Sequence, residues 1–399
     1  MTEIEILSLP EIPRQDLFYS DWNTDSFNFI YNAQDLSYEE FFNEHLVKNL
    51  PCIVKNITTD WESISKWIKD SGDIDYEYIR SNFGDMEAPV ANCNILEFNS
   101  HSKSDMKVSD FAEYMITKPR KELLYLKDWH LRRLLPNDPF YSVHKLFASD
   151  WLNEYSIDTN KDDYMFVYIG PKDSWTPLHV DVFNSYSWSV NVSGRKKWTF
   201  FPPGEELKLK DSFQNLPLMF DPTKHNKVKY FEIIQEKGDA IFVPSGWHHQ
   251  VVNQVDTISV NHNWVNGCNI ALVWEALNES LCKVKNEIDE FKGTPEFFVD
   301  CQVMLKLYFG MNFQDFLNFL VFIAKKRLFE LKKNSTEKCL IFNNYYFGIN
   351  HIRFDLKNIL NILNHFLNHV DVINGLKIDA TIYTLKQEIN DILQNYIIL

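Results

Sequence analysis

The sequence predicts an α+β fold in which a β-barrel or β-sandwich of short strands is followed by a helical region. Residues 121–268 contain short runs of β-branched and aromatic residues separated by turns rich in Gly, Pro and Asp, which is typical of an all-β unit rather than a βαβ fold. In residues 269–399 apolar side chains recur at spacings of three and four, which predicts helices. Residues 1–120 mix short apolar runs with helical segments and form an N-terminal lead-in.

Each element follows from a local pattern. In the lead-in, Ser37 and Glu40 form a capping box for a helix over residues 36–46, a second helix is predicted over residues 60–68, and residues 50–54 form a strand. A polar insertion at residues 208–229 interrupts the barrel. The predicted barrel strands lie at residues 123–126, 164–169, 186–192, 195–201, 231–234, 240–243, 247–252 and 257–263.

The C-terminal helices are predicted from their caps and apolar stripes. Asn312 is the expected N-cap of a helix over residues 313–331, and Thr294 followed by Pro295 marks another helix start. The apolar stripes predict packing within one bundle, and a homodimer formed through these helices is the alternative. The remaining helices are predicted at residues 270–291, 352–367 and 381–398.

Composition excludes several classes of protein. Hydrophobic residues make up 45% of the 399 residues and aromatic residues 15%, which indicates a folded globular chain. A net charge of −15 argues against nucleic acid as a partner. The six cysteines form no C-x-x-C pair, so we expect reduced thiols and no zinc module. The N-terminus lacks a signal-peptide pattern and the longest apolar run is too short to span a bilayer. We therefore expect no membrane association and a cytoplasmic or nuclear location.

Three residues form a candidate metal site. His179 and Asp181 are two residues apart, so on an extended strand both side chains leave the same face. His249, on a later predicted strand, supplies a third ligand. Two histidines and one carboxylate on one side of a metal form the facial triad of non-haem iron(II) oxygenases, which leaves positions open for other ligands. Taken singly, each histidine is more often a core residue of a sheet than a ligand.

Lys196 is the candidate cation for an anionic co-substrate. If Ser193 and Gly194 form a two-residue hairpin turn, Asn191 pairs with Lys196, and directly opposed residues share a face. The polar face of residues 186–192 carries Ser189 and Asn191, so Lys196 is expected to point inward with them. An exposed turn lysine, like Arg195 and Lys197 beside it, is the alternative.

Two segments carry a family resemblance. WTPLHVDVFNSYSWSVNVSGRKKWTFFPPGEE and GDAIFVPSGWHHQVVNQVDTISVNHNWVNG look like the JmjC family of iron(II)- and 2-oxoglutarate-dependent oxygenases. The family motif is H-x-D, a lysine some fifteen residues later, and G-W-x-H-x-V, and all three parts are present. The resemblance implies a double-stranded β-helix, which is a jelly-roll or cupin-like barrel, with flanking helices. It also implies Fe(II), 2-oxoglutarate as co-substrate, and O2.

The same resemblance implies roles for further residues. Lys196 would bind the far carboxylate of 2-oxoglutarate, and the hydroxyl groups of Tyr125 and Thr176 would share it. Asn261 matches a polar position that lines the co-substrate in relatives, and Ser189 stands where several relatives carry an asparagine. His248 occupies the variable position before the ligand His249, so it is given a packing role.

Residues 125–331 are most similar to one branch of this family. For that branch the resemblance implies hydroxylation of a lysine in the eukaryotic class I peptide-chain release factor, and hence a role in translation termination. A JmjC demethylase acting on N-methyl-lysine has the same triad and is one alternative, although no chromatin-reading or zinc module is present. A non-catalytic cupin-type binding module is the other, although its hallmark would be a lost ligand.

Overall fold

The computed structural model describes residues 6–9, 29–97, 100–332 and 345–395, and these form two large β-sheets with helices around them. The strands are β1 (Ile6–Leu7), β2 (Ile30–Asn32), β3 (Cys52–Lys55), β4 (Glu87–Glu97), β5 (Ser100–Lys107), β6 (Leu124–Trp129), β7 (Met165–Gly170), β8 (Trp175–His179), β9 (Tyr186–Ser193), β10 (Lys196–Phe201), β11 (Phe231–Gln235), β12 (Ala240–Val243), β13 (His248–Asn253), β14 (Thr257–Trp264) and β15 (Tyr346–Phe347).

Helices precede, interrupt and follow these sheets. They are α1 (Tyr38–Phe41), α2 (Glu62–Lys66), α3 (Tyr76–Phe83), α4 (Val108–Ile116), α5 (Leu131–Leu134), α6 (Trp151–Asp158), α7 (Ile270–Glu287), α8 (Phe297–Phe309), α9 (Phe313–Lys332), α10 (Ile349–Leu367), α11 (Val370–Gly375) and α12 (Ala380–Asn395). Ser37 caps α1 by accepting a hydrogen bond from the Glu40 amide, as predicted, and a π-helical turn at Phe42–Leu46 continues the helix.

The two sheets face each other as a jelly roll, so the predicted fold class is confirmed. One sheet has nine strands in the order β2-β3-β12-β9-β14-β7-β6-β4-β5, and the other has four in the order β11-β10-β13-β8. Side chains bridge the gap between them: the Lys196 ammonium on β10 donates to Ser259 Oγ on β14 (2.6 Å), and the Gln235 amide on β11 donates to the Ser189 carbonyl on β9 (2.8 Å).

Strands from the N-terminal lead-in belong to the nine-stranded sheet. β3 pairs with β12 at one edge, and β4 lies between β5 and β6 at the other. The boundary placed at residue 120 therefore falls between neighbouring strands of one continuous sheet.

The predicted hairpin between β9 and β10 is wrong. β9 pairs with β12 and β14 in the larger sheet, whereas β10 pairs with β11 and β13 in the smaller one, so the chain crosses between sheets at Gly194. Gly194 has a φ of +88°, and a Cβ there would lie 2.5 Å from the Asp256 carbonyl oxygen. This close approach explains the glycine, because the crossing presses the chain against the turn before β14.

The C-terminal helices bury their apolar stripes within the chain. Trp274 on α7 stacks on Phe316 of α9 and contacts Phe366 of α10, which confirms intramolecular packing for these residues. Asn312 caps α9 by accepting a hydrogen bond from the Asp315 amide. The cap predicted at Thr294 is wrong, because α8 begins only at Phe297 and its cap position is Glu296. The homodimer stays a prediction.

No single helix among the described residues has the length and apolar character needed to cross a bilayer. Helices α8 and α9 reach that length and composition only as a pair, and they are bent by 68° relative to each other.

Candidate active site

The three predicted metal ligands meet at one end of the smaller sheet. His179 is the last residue of β8 and lies directly opposite His249 on β13, while Asp181 follows two residues after His179. Their potential ligand atoms all lie within 4.8 Å of one another, and this is the one such cluster among the described residues. A single ion can therefore contact all three side chains.

Hydrogen bonds orient each of these side chains toward the shared point. The Nδ1 atoms of His179 and His249 lie 2.8 Å and 3.0 Å from the carbonyl oxygens of Pro177 and Trp247, each two residues upstream. Nδ1 must donate in these contacts, so Nε2 keeps the lone pair that a metal requires. Asp181 accepts a bond from Ser187 Oγ on Oδ2 (2.7 Å), and its Oδ1 lies 4.0 Å from His179 Nε2. Two imidazoles and one carboxylate fit Fe(II).

A cavity of about 530 Å³ opens beside the cluster. This volume is within the usual range for small-ligand sites. Its lining contains seven of the eight predicted site residues; Ser189 lies behind the wall, hydrogen-bonded to Asn261 (3.1 Å). The seven are His179, Asp181, His249, Lys196, Tyr125, Thr176 and Asn261.

Lys196 is inward and buried, with 2% of its surface exposed. Its ammonium donates to Ser259 Oγ at 2.6 Å, and Ser259 Oγ in turn donates to Asn261 Oδ1 at 3.0 Å. Burial, together with the charge of Lys127, lowers the pKa of Lys196 to about 7. Within the part of the chain that the structure describes, no carboxylate is hydrogen-bonded to the Lys196 ammonium. Its partner Ser259 was not predicted from the sequence.

Tyr125 and Thr176 approach the cavity from strands of opposite sheets. Tyr125 on β6 is buried beside Gly170, where a Cβ would lie 2.5 Å from the Tyr125 ring. Thr176 on β8 lies opposite Val251 of β13, and its Oγ1 accepts a hydrogen bond from the Lys127 ammonium at 3.1 Å. Gly170 is therefore needed for the position of the Tyr125 ring.

Lys127, Asp128 and Lys103 also line the cavity and were not predicted from the sequence. Lys127 is two residues after Tyr125 on β6, so strand alternation alone would have placed both on one face. Asp128 has a φ of +58°, and its carboxylate accepts hydrogen bonds from Tyr168 Oη (2.7 Å) and Lys103 Nζ (2.5 Å). Strand alternation gives no reason to expect Asp128 in the cavity, because its left-handed backbone breaks the alternation.

His248 faces away from the cluster, as its packing role implied. Its Nδ1 lies 3.8 Å from a Glu206 carboxylate oxygen, and burial lowers its pKa to about 4. His248 and His249 are neighbours on a strand, so they point to opposite faces, and only His249 reaches the cavity.

Comparison with known proteins gives a consistent family. Residues 38–269 match the family described as "Cupin-like domain". The chain is 42% identical over 364 residues to "2-oxoglutarate and iron-dependent oxygenase JMJD4 homolog" of Drosophila melanogaster, covering 82% of this chain and 85% of the relative. It is 40% identical over 362 residues to the human "2-oxoglutarate and iron-dependent oxygenase JMJD4", covering 86% and 85%.

A plant relative is named for a different activity. The chain is 38% identical over 315 residues to "Arginine-specific demethylase JMJ20" of Arabidopsis thaliana, covering 72% of this chain and 68% of that protein. The cupin-like match at residues 38–269 contains the metal cluster. The chain belongs to the JmjC group of cupin-like oxygenases, which depend on iron(II), 2-oxoglutarate and O2.

Proposed function

We propose that this protein is a lysyl hydroxylase that acts on a lysine of the eukaryotic class I peptide-chain release factor, in the cytoplasm. The observation that carries the oxygenase chemistry is the meeting of His179, Asp181 and His249 beside a buried Lys196 in one cavity. The choice of substrate is supported by the resemblance of residues 125–331 to the branch for which this hydroxylation is implied, and by relatives of about 40% identity over most of the chain.

In this proposal each residue has a defined task. His179, Asp181 and His249 hold iron(II) through Nε2, a carboxylate oxygen and Nε2. Lys196 binds the far carboxylate of 2-oxoglutarate, with Tyr125 and Thr176 beside it. Asn261 lines the co-substrate, and Ser189 acts through its hydrogen bond to Asn261.

The protein's own contribution is orientation and exclusion of water. When bound, iron(II) and 2-oxoglutarate supply the activation of O2, and 2-oxoglutarate leaves as succinate and CO2. The hydrogen bonds to the Pro177 and Trp247 carbonyls fix the imidazole rings before the metal arrives. The cavity walls position a substrate C–H bond near the metal and keep bulk water away from the reacting atoms.

The test is a reaction with a defined product. Purified protein, Fe(II) and 2-oxoglutarate are incubated with release factor under air, and succinate and the mass of release-factor peptides are measured. We expect succinate formation that depends on release factor and gain of one oxygen atom on one lysine. If the same amount of succinate forms with and without release factor, and no release-factor peptide changes in mass, this substrate is excluded.

Demethylation is the second candidate, and the name of the Arabidopsis relative favours it. Hydroxylation of an N-methyl group leads to loss of that group, so the same site can serve either outcome. Peptides carrying N-methyl-lysine or N-methyl-arginine separate the two: loss of a methyl group supports demethylation, whereas gain of oxygen on unmethylated lysine supports hydroxylation. A non-catalytic binding module would give no succinate with any peptide.

A further inference from the structure

A second buried lysine contacts the residues proposed to bind the far carboxylate of the co-substrate. The Lys127 ammonium donates to Thr176 Oγ1 at 3.1 Å and lies 5.4 Å from the centre of the Tyr125 ring. Lys127 is 8% exposed, and its charge is close enough to Lys196 to lower the pKa of that lysine. Three of its neighbours are thus Thr176, Tyr125 and Lys196.

Lys127 has no hydrogen-bonded carboxylate among the described residues. The adjacent Asp128 directs both of its oxygens elsewhere, Oδ1 to Tyr168 Oη at 2.7 Å and Oδ2 to Lys103 Nζ at 2.5 Å. The pKa of Lys127 is lowered to about 8, chiefly by burial and in addition by the charge of Lys103, and the Asp128 charge offsets these effects only in part. Holding two ammonium groups in one cavity is unfavourable unless an anion binds between them.

We propose that Lys127 is a second cation for the far carboxylate of 2-oxoglutarate, binding it together with Lys196. The carboxylate has two oxygens, so it can accept from both ammonium groups and from the hydroxyls of Tyr125 and Thr176 at once. Lys127 also positions the Thr176 hydroxyl: because Oγ1 accepts from Lys127, its own hydrogen is free to donate to the carboxylate. This inference concerns the co-substrate and does not depend on which protein is hydroxylated.

The alternative is that Lys127 only supports the wall by holding Thr176. The two roles differ in their dependence on the ligand's far carboxylate. 2-Oxopentanoate has the metal-chelating end of 2-oxoglutarate but ends in a methyl group, so it cannot use a cation at the far end. A cation for the far carboxylate affects 2-oxoglutarate alone, whereas a wall residue affects both ligands.

The experiment measures binding to full-length protein loaded with Mn(II) in the absence of O2, so no turnover occurs. Dissociation constants for 2-oxoglutarate come from calorimetry, and those for 2-oxopentanoate from competition against it. For Lys127→Met we expect the 2-oxoglutarate constant to rise by about tenfold to a hundredfold, the range for a hydrogen bond between charged groups, with the 2-oxopentanoate constant changed by less than about twofold. Lys127→Arg should recover part of the lost affinity.

Lys197→Met is the matched control, because it also removes one lysine charge from this region but at a partly exposed site paired with Glu232. It should bind both ligands as the original chain does. An equal weakening of both ligands by Lys127→Met, or no weakening of either, overturns the proposal. If the Met variant does not fold, as judged by circular dichroism, Lys127→Gln is measured in its place.

Discussion

The described residues include buried lysine and arginine side chains in two regions, and their charges are neutralised differently in each. Arg327 on α9 is fully buried and sits among carboxylates: it donates to Asp355 at 2.8 Å and to Glu154 at 2.9 Å and 3.1 Å, with Glu330 at 3.5 Å. In the catalytic cavity, Lys196 and Lys127 are buried as well, yet each ammonium donates to a hydroxyl, Ser259 Oγ and Thr176 Oγ1 respectively.

The pKa shifts record the difference. Burial has the largest single effect on the pKa of Glu154 and would raise it, but the charges and hydrogen bonds of Arg327 and Lys326 together outweigh it and the pKa is lowered. In the cavity the Asp128 charge offsets the effect of burial on Lys127 only in part, and the pKa falls to about 7 for Lys196 and to about 8 for Lys127. Carboxylates of the protein neutralise the charge of the Arg327 cluster, whereas the positive charge of the cavity is left to be neutralised by an anionic ligand.

The largest effect is expected from removing a metal ligand. Asp181→Ala or His249→Ala should abolish 2-oxoglutarate turnover, because two remaining ligands do not hold Fe(II) in the site. His248→Ala is the matched control, since that side chain points away from the cluster, and it should retain turnover. Succinate formation and bound iron are measured together. Turnover in either ligand variant at the unsubstituted level would show that the metal lies elsewhere.

Removing Arg327 from its cluster should lower the stability of the fold and should not change the affinity for 2-oxoglutarate. Arg327→Met leaves Asp355 buried without its guanidinium partner and Glu154 with only the Lys326 ammonium, 2.8 Å away, which should lower the free energy of unfolding by about 3–5 kcal/mol. Urea denaturation followed by circular dichroism measures it, and Lys326→Met, at a partly exposed neighbour, is the comparison. A loss no greater than that of Lys326→Met would mean that the cluster does not stabilise the fold.

Removing the Lys196 ammonium from the cavity should lower the affinity for 2-oxoglutarate and should not lower stability. Lys196→Met should weaken 2-oxoglutarate binding about tenfold to a hundredfold, because a buried charged hydrogen bond is lost. The ligand-free protein should be as stable as before or more stable, since a buried ammonium without a carboxylate is removed. Calorimetry and thermal unfolding are measured on the same samples. An unchanged dissociation constant would move the carboxylate anchor to another residue.

A smaller effect is expected from pH. A bound carboxylate raises the pKa of an ammonium that it contacts, so 2-oxoglutarate affinity should be full below about pH 7 and fall several-fold as pH rises through 7 and 8, where Lys196 and Lys127 lose their protons. Asp128 and Lys103 are the other charged groups facing Lys127, and their opposed charges largely cancel in this range. Dissociation constants at a series of pH values test it.

Ligand-free stability should show the opposite trend. Both lysines have a pKa lower in the folded chain than the usual ~10.4, so their protonation opposes folding, and this penalty shrinks as pH rises from about 7 toward 10. The difference in melting temperature between the original chain and Lys196→Met isolates the contribution of Lys196. A difference that does not vary with pH would mean that Lys196 does not titrate in this range.

The inward position of Lys196 was predicted correctly from the sequence, although the strand pairing used for that prediction was wrong. The hairpin that first placed it inward does not exist, since β9 and β10 belong to different sheets. The residue is nevertheless inward, because alternation along a strand is a local property that survives a change of partner. The spacing of His179 and Asp181 is local in the same way.

The sequence by itself determined most of the barrel strands and C-terminal helices, the triad and the family, since these rest on short patterns and a motif; strands β4, β5 and β8 were not predicted. Only the tertiary structure decided that Ser259 accepts a hydrogen bond from Lys196, that Asp128 accepts hydrogen bonds from Lys103 and Tyr168, and that Lys127 donates to Thr176. Those contacts join strands that are distant along the chain or lie in opposite sheets. Their geometry depends on how the sheets pair and face each other, and no local periodicity encodes that.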